Sequence, residues 1–194
     1  MTDKVLRDNY LRITNVLSPF TGIEFVPSCY LDPAADRGTR VHESIESFIK
    51  GFGHSTDEDI QGYIKSFNDF WEKENMDHYK DMTQEKRFYC DNLEITGQVD
   101  LIVNKHNSIF IYDWKTSSRP QKSWVLQASA YKYLYEVENE SKVSFVNFVH
   151  LKKDGTKAKV IEYGFNDLWD GFETFKKCLE LYKYFNMKTT RVKR

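Results

Sequence analysis

The segment GQVDLIVNKHNSIFIYDWKTSS, residues 97–118, places three charged side chains, Asp100, Asp113 and Lys115, in otherwise apolar strand sequence. If His106-Asn107 is a two-residue hairpin loop, Lys105 faces Ser108, Asp100 falls opposite Asp113, and Gln98 opposite Lys115. Directly opposed residues share one face, with Cβ atoms roughly 4.5–5.5 Å apart. Ile102, Ile109 and Ile111 would continue that face towards the turn. Val99, Leu101, Val103, Phe110, Tyr112 and Trp114 would form the opposite, core-facing surface. Two opposed carboxylates repel each other unless something compensates. A divalent cation does so, and oxygen ligands from neighbouring strands suit Mg²⁺ or Mn²⁺. A lysine alongside fits phosphate chemistry, where it stabilises developing negative charge. A lone Asp-x-Lys is more often a surface salt bridge. Here the charges share a face with three isoleucines, which favours a site over a solvated face.

These residues need elements that bring them together. Residues 1–37 contain Pro19, Gly22, Pro27 and Pro33 and read as an irregular N-terminal arm with short helical pieces, with residues 38–194 as the remainder of a single domain. From Gly38, the spacing of Val41, Ile45, Phe48 and Ile49 predicts a helix. Ile60, Ile64, Phe67, Phe70 and Trp71 predict a second, amphipathic one. Strands follow in EKRFYC, LEITGQVDLIVN and SIFIYDWKT, the first two joined by a turn at Asp91-Asn92. Pro120 is placed as the first-turn proline of a third helix running through SWVLQASAYKYLYEVE. VSFVNFVHL and KAKVIEYGF read as another hairpin, and NDLWDGFETFKKCLELYKYF as a closing helix with Asn166 as a candidate N-cap. The order predicts an α/β fold with one central mixed β-sheet flanked by helices.

Composition limits the function classes. The 194 residues carry a net charge of −1, so any basic surface for nucleic acid must be local. Three scattered cysteines (Cys29, Cys90 and Cys178) support neither a disulfide framework, nor a Cys-rich zinc site, nor a four-cysteine iron–sulfur cluster. The first residues lack an apolar signal-like core, and no stretch is apolar enough to span a membrane, so a cytoplasmic protein is expected. There is no GxxxxGK[ST] phosphate-binding loop. Basic residues gather towards the C-terminus (Lys183, Lys188, Arg191, Lys193 and Arg194), as a DNA-contacting tail or a solvated end.

Gly97-Gln-Val-Asp100 followed by Asp113-Trp-Lys115 resembles the core of the PD-(D/E)XK nuclease superfamily, with its restriction-endonuclease-like fold. RGTRVH, a Gly-x-x-x-His ending at His42, and QASAY, a Gln-x-x-x-Tyr formed by Gln127 and Tyr131, resemble the RecB-like exonuclease branch. Small phage-type exonucleases are the most similar in size and in the RGTRVH motif. The four pieces run in the family's order over residues 38–131. The resemblance implies that Asp100, Asp113, the Trp114 carbonyl and His42 hold Mg²⁺ or Mn²⁺, and that Lys115 is catalytic. It further implies that Gln127 and Tyr131 line the site, touching DNA or bracing the catalytic residues. Glu85 matches a position where many relatives carry an acid.

Several neighbours are open to a second reading. Glu46, one turn after His42, could orient the imidazole or be a solvated charge. Tyr131 and Trp124 could stack on unpaired bases, or Trp124 could be core. The activity implied is hydrolysis of DNA from free ends, in recombination, repair or phage DNA processing. A structure-specific or sequence-specific endonuclease on the same fold and a catalytically silent nucleic-acid-binding module are the rivals. The implied partner is single-stranded or end-bearing duplex DNA. Protein partners of the kind implied are a recombinase, a single-strand-binding protein or a helicase; with no motor of its own, the chain acts alone or borrows one.

Overall fold

In the computed structural model, which describes residue 7 and residues 9–186, a six-stranded mixed sheet lies between two helical layers. The elements in order are β1 (Leu11–Arg12), α1 (Ile13–Leu17), α2 (Ser28–Ile49), α3 (Gln61–Lys73), β2 (Met82–Cys90), β3 (Ile95–Lys105), β4 (Ser108–Lys115), α4 (Trp124–Glu138), β5 (Val143–His150), β6 (Lys159–Tyr163) and α5 (Phe165–Asn186). The α/β class and the helix-flanked mixed sheet are those the sequence predicts. Lys188, Arg191, Lys193 and Arg194 lie outside the described residues.

Each layer has its own core. On one face, α2 and α3 cover Leu101, Val103, Tyr112, Trp114 and Val149 with Val41, Ile45, Ile64, Phe67 and Trp71. On the other, α1, α4 and α5 cover Phe88, Ile95, Val99, Ile102, Ile111 and Phe148 with Ile13, Leu134 and Phe175. The alternation of strands buried on both faces accounts for their nearly continuous apolar runs.

The β3–β4 hairpin turns at His106-Asn107, both with positive φ (53° and 67°), and Lys105 pairs with Ser108. This is the two-residue connection whose twist suits the flanking strands. The antiparallel rungs continue only to Leu101↔Tyr112. Asp100 and Asp113 are therefore not a ladder pair, and Gln98 pairs with Arg87 of β2 rather than facing Lys115. The edge that β3 turns towards β4 is taken up again only at Ile95 and Thr96, where β1 adds a short parallel strand. Between these two partners the edge of β3 is open. Val99 is a second departure: it packs in the α4–α5 layer with Ile95, not with Leu101. The side-to-side alternation slips at Asp100, where the rung to β2 is also missing and Glu85 takes a left-handed φ of 51°. An irregularity of this kind re-aims side chains beside it.

The arm also differs from expectation. Helix α2 begins at Ser28, ten residues ahead of Gly38, and runs through Pro33. Its first turns are largely exposed, so the carbonyl that loses its partner at Pro33 faces water. Upstream, Ile13, Val16 and Leu17 of α1 are buried in the core. Pro120 precedes α4 by several residues, since Ser123 is the cap, and Asn166 lies inside the first turn of α5 rather than capping it. A four-residue turn, Asp91–Glu94, separates β2 from β3 in place of the two-residue one.

Helix α3 docks against the β5–β6 connection through Gly62, where a methyl group would overlap the backbone carbonyl of Lys153. Gly→Ala in a helix ordinarily stabilises by up to roughly 1 kcal/mol. Here Gly62→Ala should instead destabilise by about 1–3 kcal/mol, through overpacking against backbone. Urea unfolding followed by circular dichroism checks the sign; a raised midpoint would show that the contact is not tight.

Candidate active site

The open edge of β3 is where the charged residues meet. Asp100 sits at the slip and bonds sideways to the neighbouring strand: its Oδ2 accepts the backbone N–H of Trp114 at 2.7 Å. The carboxylate thus stands in for the rung that β3 and β4 no longer make. Its Oδ1 lies 3.2 Å from His42 Nδ1, on α2. Asp100 and Asp113 are 8% and 3% exposed, which rules out a solvated surface pair.

Gly38 and His42 share a face of α2, being one turn apart. A Cβ at Gly38 would stand 3.2 Å from Thr116 Oγ1, just beyond β4. The bare glycine lets the helix approach the strand end, and the next turn then delivers His42 to Asp100. Arg40 points elsewhere: it binds Asp36, Asp57 and Asp59, which tie α2 to the turn before α3. Glu46 pairs with Lys50 along α2 and also lines the cleft beside His42.

Asp113 is compensated separately. Lys115 Nζ lies 2.5 Å from Asp113 Oδ1 and donates to Gln127 Oε1 at 3.1 Å. Gln127 Nε2 in turn donates to the Tyr131 hydroxyl at 2.7 Å. Gln127 and Tyr131 are one turn apart on α4 and both buried. The Gln-x-x-x-Tyr pair therefore braces the ammonium. Tyr131 is 4% exposed and Trp124 3%, so neither ring is available to stack on a base; Trp124 packs against Phe148 and His150. His150 holds the loop after Lys115: its Nε2 lies 2.6 Å from the Ser117 carbonyl and its Nδ1 3.0 Å from Lys152 Nζ. The two contacts are satisfied together by an imidazole protonated on Nε2. Burial also pushes its pKa down, which keeps the ring neutral.

Electrostatics reflect the crowding. For His42, burial acts to lower the pKa, but the charges of Asp100 and Asp113 override it and raise the imidazole to about 9. Burial, then the neighbouring Asp100 charge, pushes Glu85 up. Asp113 is raised by burial, against the opposing pull of Lys115. Tyr131 is driven well above the usual phenol range by burial and by both aspartates. Gln98 supports Glu85, donating from Nε2 to Glu85 Oε2 while its own Oε1 accepts from Arg87.

Donor atoms of His42, Glu85 and Asp100 lie within 4.8 Å of one another. An imidazole with carboxylates suits Mn²⁺ and is tolerated less readily by Mg²⁺. Asp113 Oδ1 is buried with the Lys115 ammonium beside it but without a well-directed hydrogen bond. The residues fit a divalent cation. The structure thus gathers His42, Glu85 and Asp100, sets Asp113 with Lys115 beside them, and engages Trp114 through its N–H. Sequence reasoning missed Gln98 as the bridge between Glu85 and Arg87. The alternation of Glu85 and Arg87 on one strand was the available signal.

A family model of the PD-(D/E)XK nuclease superfamily matches residues 66–183. The chain belongs to this superfamily. The match takes in Glu85, Asp100, Asp113, Lys115, Gln127 and Tyr131 and leaves His42 outside it. Among solved structures, a candidate exonuclease from Eubacterium rectale superposes with a TM-score of 0.59 at 9% identity, covering 94% of this chain and 85% of that one. The protein SSO0001 superposes with a TM-score of 0.50 at 16% identity, covering 94% and 87%. At such identities the likeness is one of fold. No curated protein matches significantly in sequence. A PD-(D/E)XK nuclease fold implies a nucleic-acid substrate and divalent metal ions. No described helix is long and apolar enough to cross a membrane.

Calorimetric titration of the metal-free protein with Mn²⁺ should show binding that Asp100→Asn and His42→Ala each weaken about tenfold or more. Lys115→Met should not weaken it, since it removes a competing cation. Unchanged affinity in Asp100→Asn would take Asp100 out of the ligand set.

Proposed function

We propose that the chain is a metal-dependent DNA exonuclease of the RecB-like branch, of the small phage type. In this reading it hydrolyses phosphodiester bonds from free DNA ends during recombination, repair or phage DNA processing. The observation that carries the reading is the braced Asp113–Lys115–Gln127–Tyr131 chain standing beside the His42–Glu85–Asp100 donors. An intact acid pair and lysine argue against a catalytically silent module. The Eubacterium rectale neighbour, a candidate exonuclease, supports the choice of ends.

Asp100, presented by the Trp114 N–H, would hold Mg²⁺ or Mn²⁺ together with His42 and Glu85, with Asp113 and the Trp114 carbonyl as further ligands. A cation there supplies Lewis acidity and lowers the pKa of water. The protein's own residues do the rest. Lys115 is paired with Asp113 and fixed in direction by Gln127, so its ammonium meets charge that develops on the phosphoryl oxygens without first reorganising. Tyr131 fixes Gln127 in turn. Helix α2 and the sheet flank the cleft, about 510 Å³ in volume and lined by His42, Glu85, Asp100 and Tyr131. Entry of a strand by its end suits such a cleft better than a duplex laid across it.

Digestion of end-labelled linear single-stranded, linear double-stranded and covalently closed circular DNA, with Mg²⁺ and with Mn²⁺, tests this. Linear DNA should be degraded while closed single-stranded circles persist. Rapid cutting of intact circles would establish the endonuclease instead. Lys115→Ala should lower kcat by about 10²–10³-fold with little change in KM. A variant that cleaves normally at saturation would reduce the lysine to a phosphate contact.

A further inference from the structure

The cleft is sorted by charge along β3. At one end lie His42, Glu85 and Asp100. At the other, Arg12 and Arg87 line the same cleft. Arg12 is paired beside Thr96 on one edge of β3, and Arg87 beside Gln98 on the other. Residues 95, 97 and 99 belong to the α4–α5 side, where a Cβ on Gly97 would run into Ile13, Leu134 and Tyr131. Thr96 and Gln98, with their partners Arg12 and Arg87, therefore alternate to the α2 side.

Two strand spacings and a two-residue offset put the Cα atoms of the two arginines roughly 12 Å apart. Long side chains can converge over that gap. Among the described residues, neither guanidinium has an acidic partner; Arg87 bonds to the neutral Gln98, and no ion pair involves Arg12. Arg40, by contrast, is engaged by three aspartates and is not free to meet a ligand. Paired strand positions along β3 advance roughly 7 Å per step, from Asp100 to Gln98–Arg87 to Thr96–Arg12. This is close to the step between successive phosphates of an extended nucleic-acid strand.

We propose that Arg12 and Arg87 form a phosphate-binding track, which holds the phosphates next to the one at Asp100 and lays the bound strand along β3. The proposal rests on the nuclease reading and adds the direction and contacts of the strand. A guanidinium offers two parallel N–H donors to a phosphate, which a lysine cannot reproduce. Arg87 also touches Gln98, and through it Glu85, so Arg12 is the cleaner probe.

The test measures equilibrium binding of the full chain to a short single-stranded oligonucleotide in EDTA, and cleavage separately with Mn²⁺. Arg12→Ala should weaken binding at least about fivefold and lower the salt-dependence slope by about 0.7, the value for one lost phosphate contact on a single strand. Cleavage should show raised KM with kcat little changed. Arg12→Lys should restore part of the affinity, and Mn²⁺ affinity should be unaltered. Oligonucleotides ending in phosphate or hydroxyl distinguish the sources: an effect confined to phosphate ends marks a terminal phosphate, and an equal effect marks the backbone. Wild-type cleavage with unchanged binding and KM in Arg12→Ala would overturn the track and leave the nuclease reading intact. Arg12-dependent binding without cleavage would keep the track and overturn the nuclease. Neither binding nor cleavage would overturn both.

Discussion

The site depends on the parting of two strands. β3 and β4 are hydrogen-bonded only as far as Leu101 and Tyr112, and beyond that point the Trp114 N–H has no backbone acceptor on β3. Buried amides are almost never left unpaired. Asp100 provides the acceptor with its side chain. One carboxylate oxygen thereby closes the sheet while the other turns towards His42. The slip in alternation at Asp100 and the left-handed Glu85 belong to the same irregularity. A regular hairpin would have satisfied its amides without help and set the two aspartates on one covered face with no room for a substrate.

Burying two carboxylates close together is costly, and each is given its own cation. Asp100 has His42, and Asp113 has Lys115. The arrangement differs from a simple pair awaiting metal: part of the compensation is internal. It also explains the length of the polar chain. Lys115 would be a mobile charge without Gln127, and Gln127 would be an unsatisfied buried amide without the Tyr131 hydroxyl. In a low-dielectric setting a partly satisfied network is worse than an apolar core. The chain is therefore complete from Asp113 to Tyr131, and direction at Lys115 follows from packing on α4.

The near-zero net charge conceals a separation of charge. Acids concentrate where the cation would sit, and two arginines with no acidic partner among the described residues line the same cleft. Arg40 shows the contrast, since its charge is spent on holding α2 to the following turn. That tether and the close approach at Gly38 fix the height of α2 above the sheet, and with it the reach of His42.

Local sequence determined what depends on neighbours along the chain. The His106-Asn107 turn, the apolar strands and the spacing of Gly38–His42 and Gln127–Tyr131 all follow from short-range geometry, and so does the α/β order. The arm was misread because Pro33 and Gly38 are helix breakers by propensity, yet exposure of the first turns and the need for close approach override propensity in α2. Tyr131 could not be placed by its type, since a tyrosine one turn from a glutamine looks the same whether it meets a base or a buried amide. Only the tertiary structure decided that β4 leaves β3 at Leu101, that Gln98 therefore serves Glu85 and Arg87 instead of Lys115, and that Asp100 replaces a backbone rung. The physical reason is that strand pairing across the sheet is set by what β1 and β2 do to β3. β1 is remote in sequence, and the break in the β2 ladder at Asp100 lies well away from the turn that joins β2 to β3, so neither leaves a local signal at Asp100.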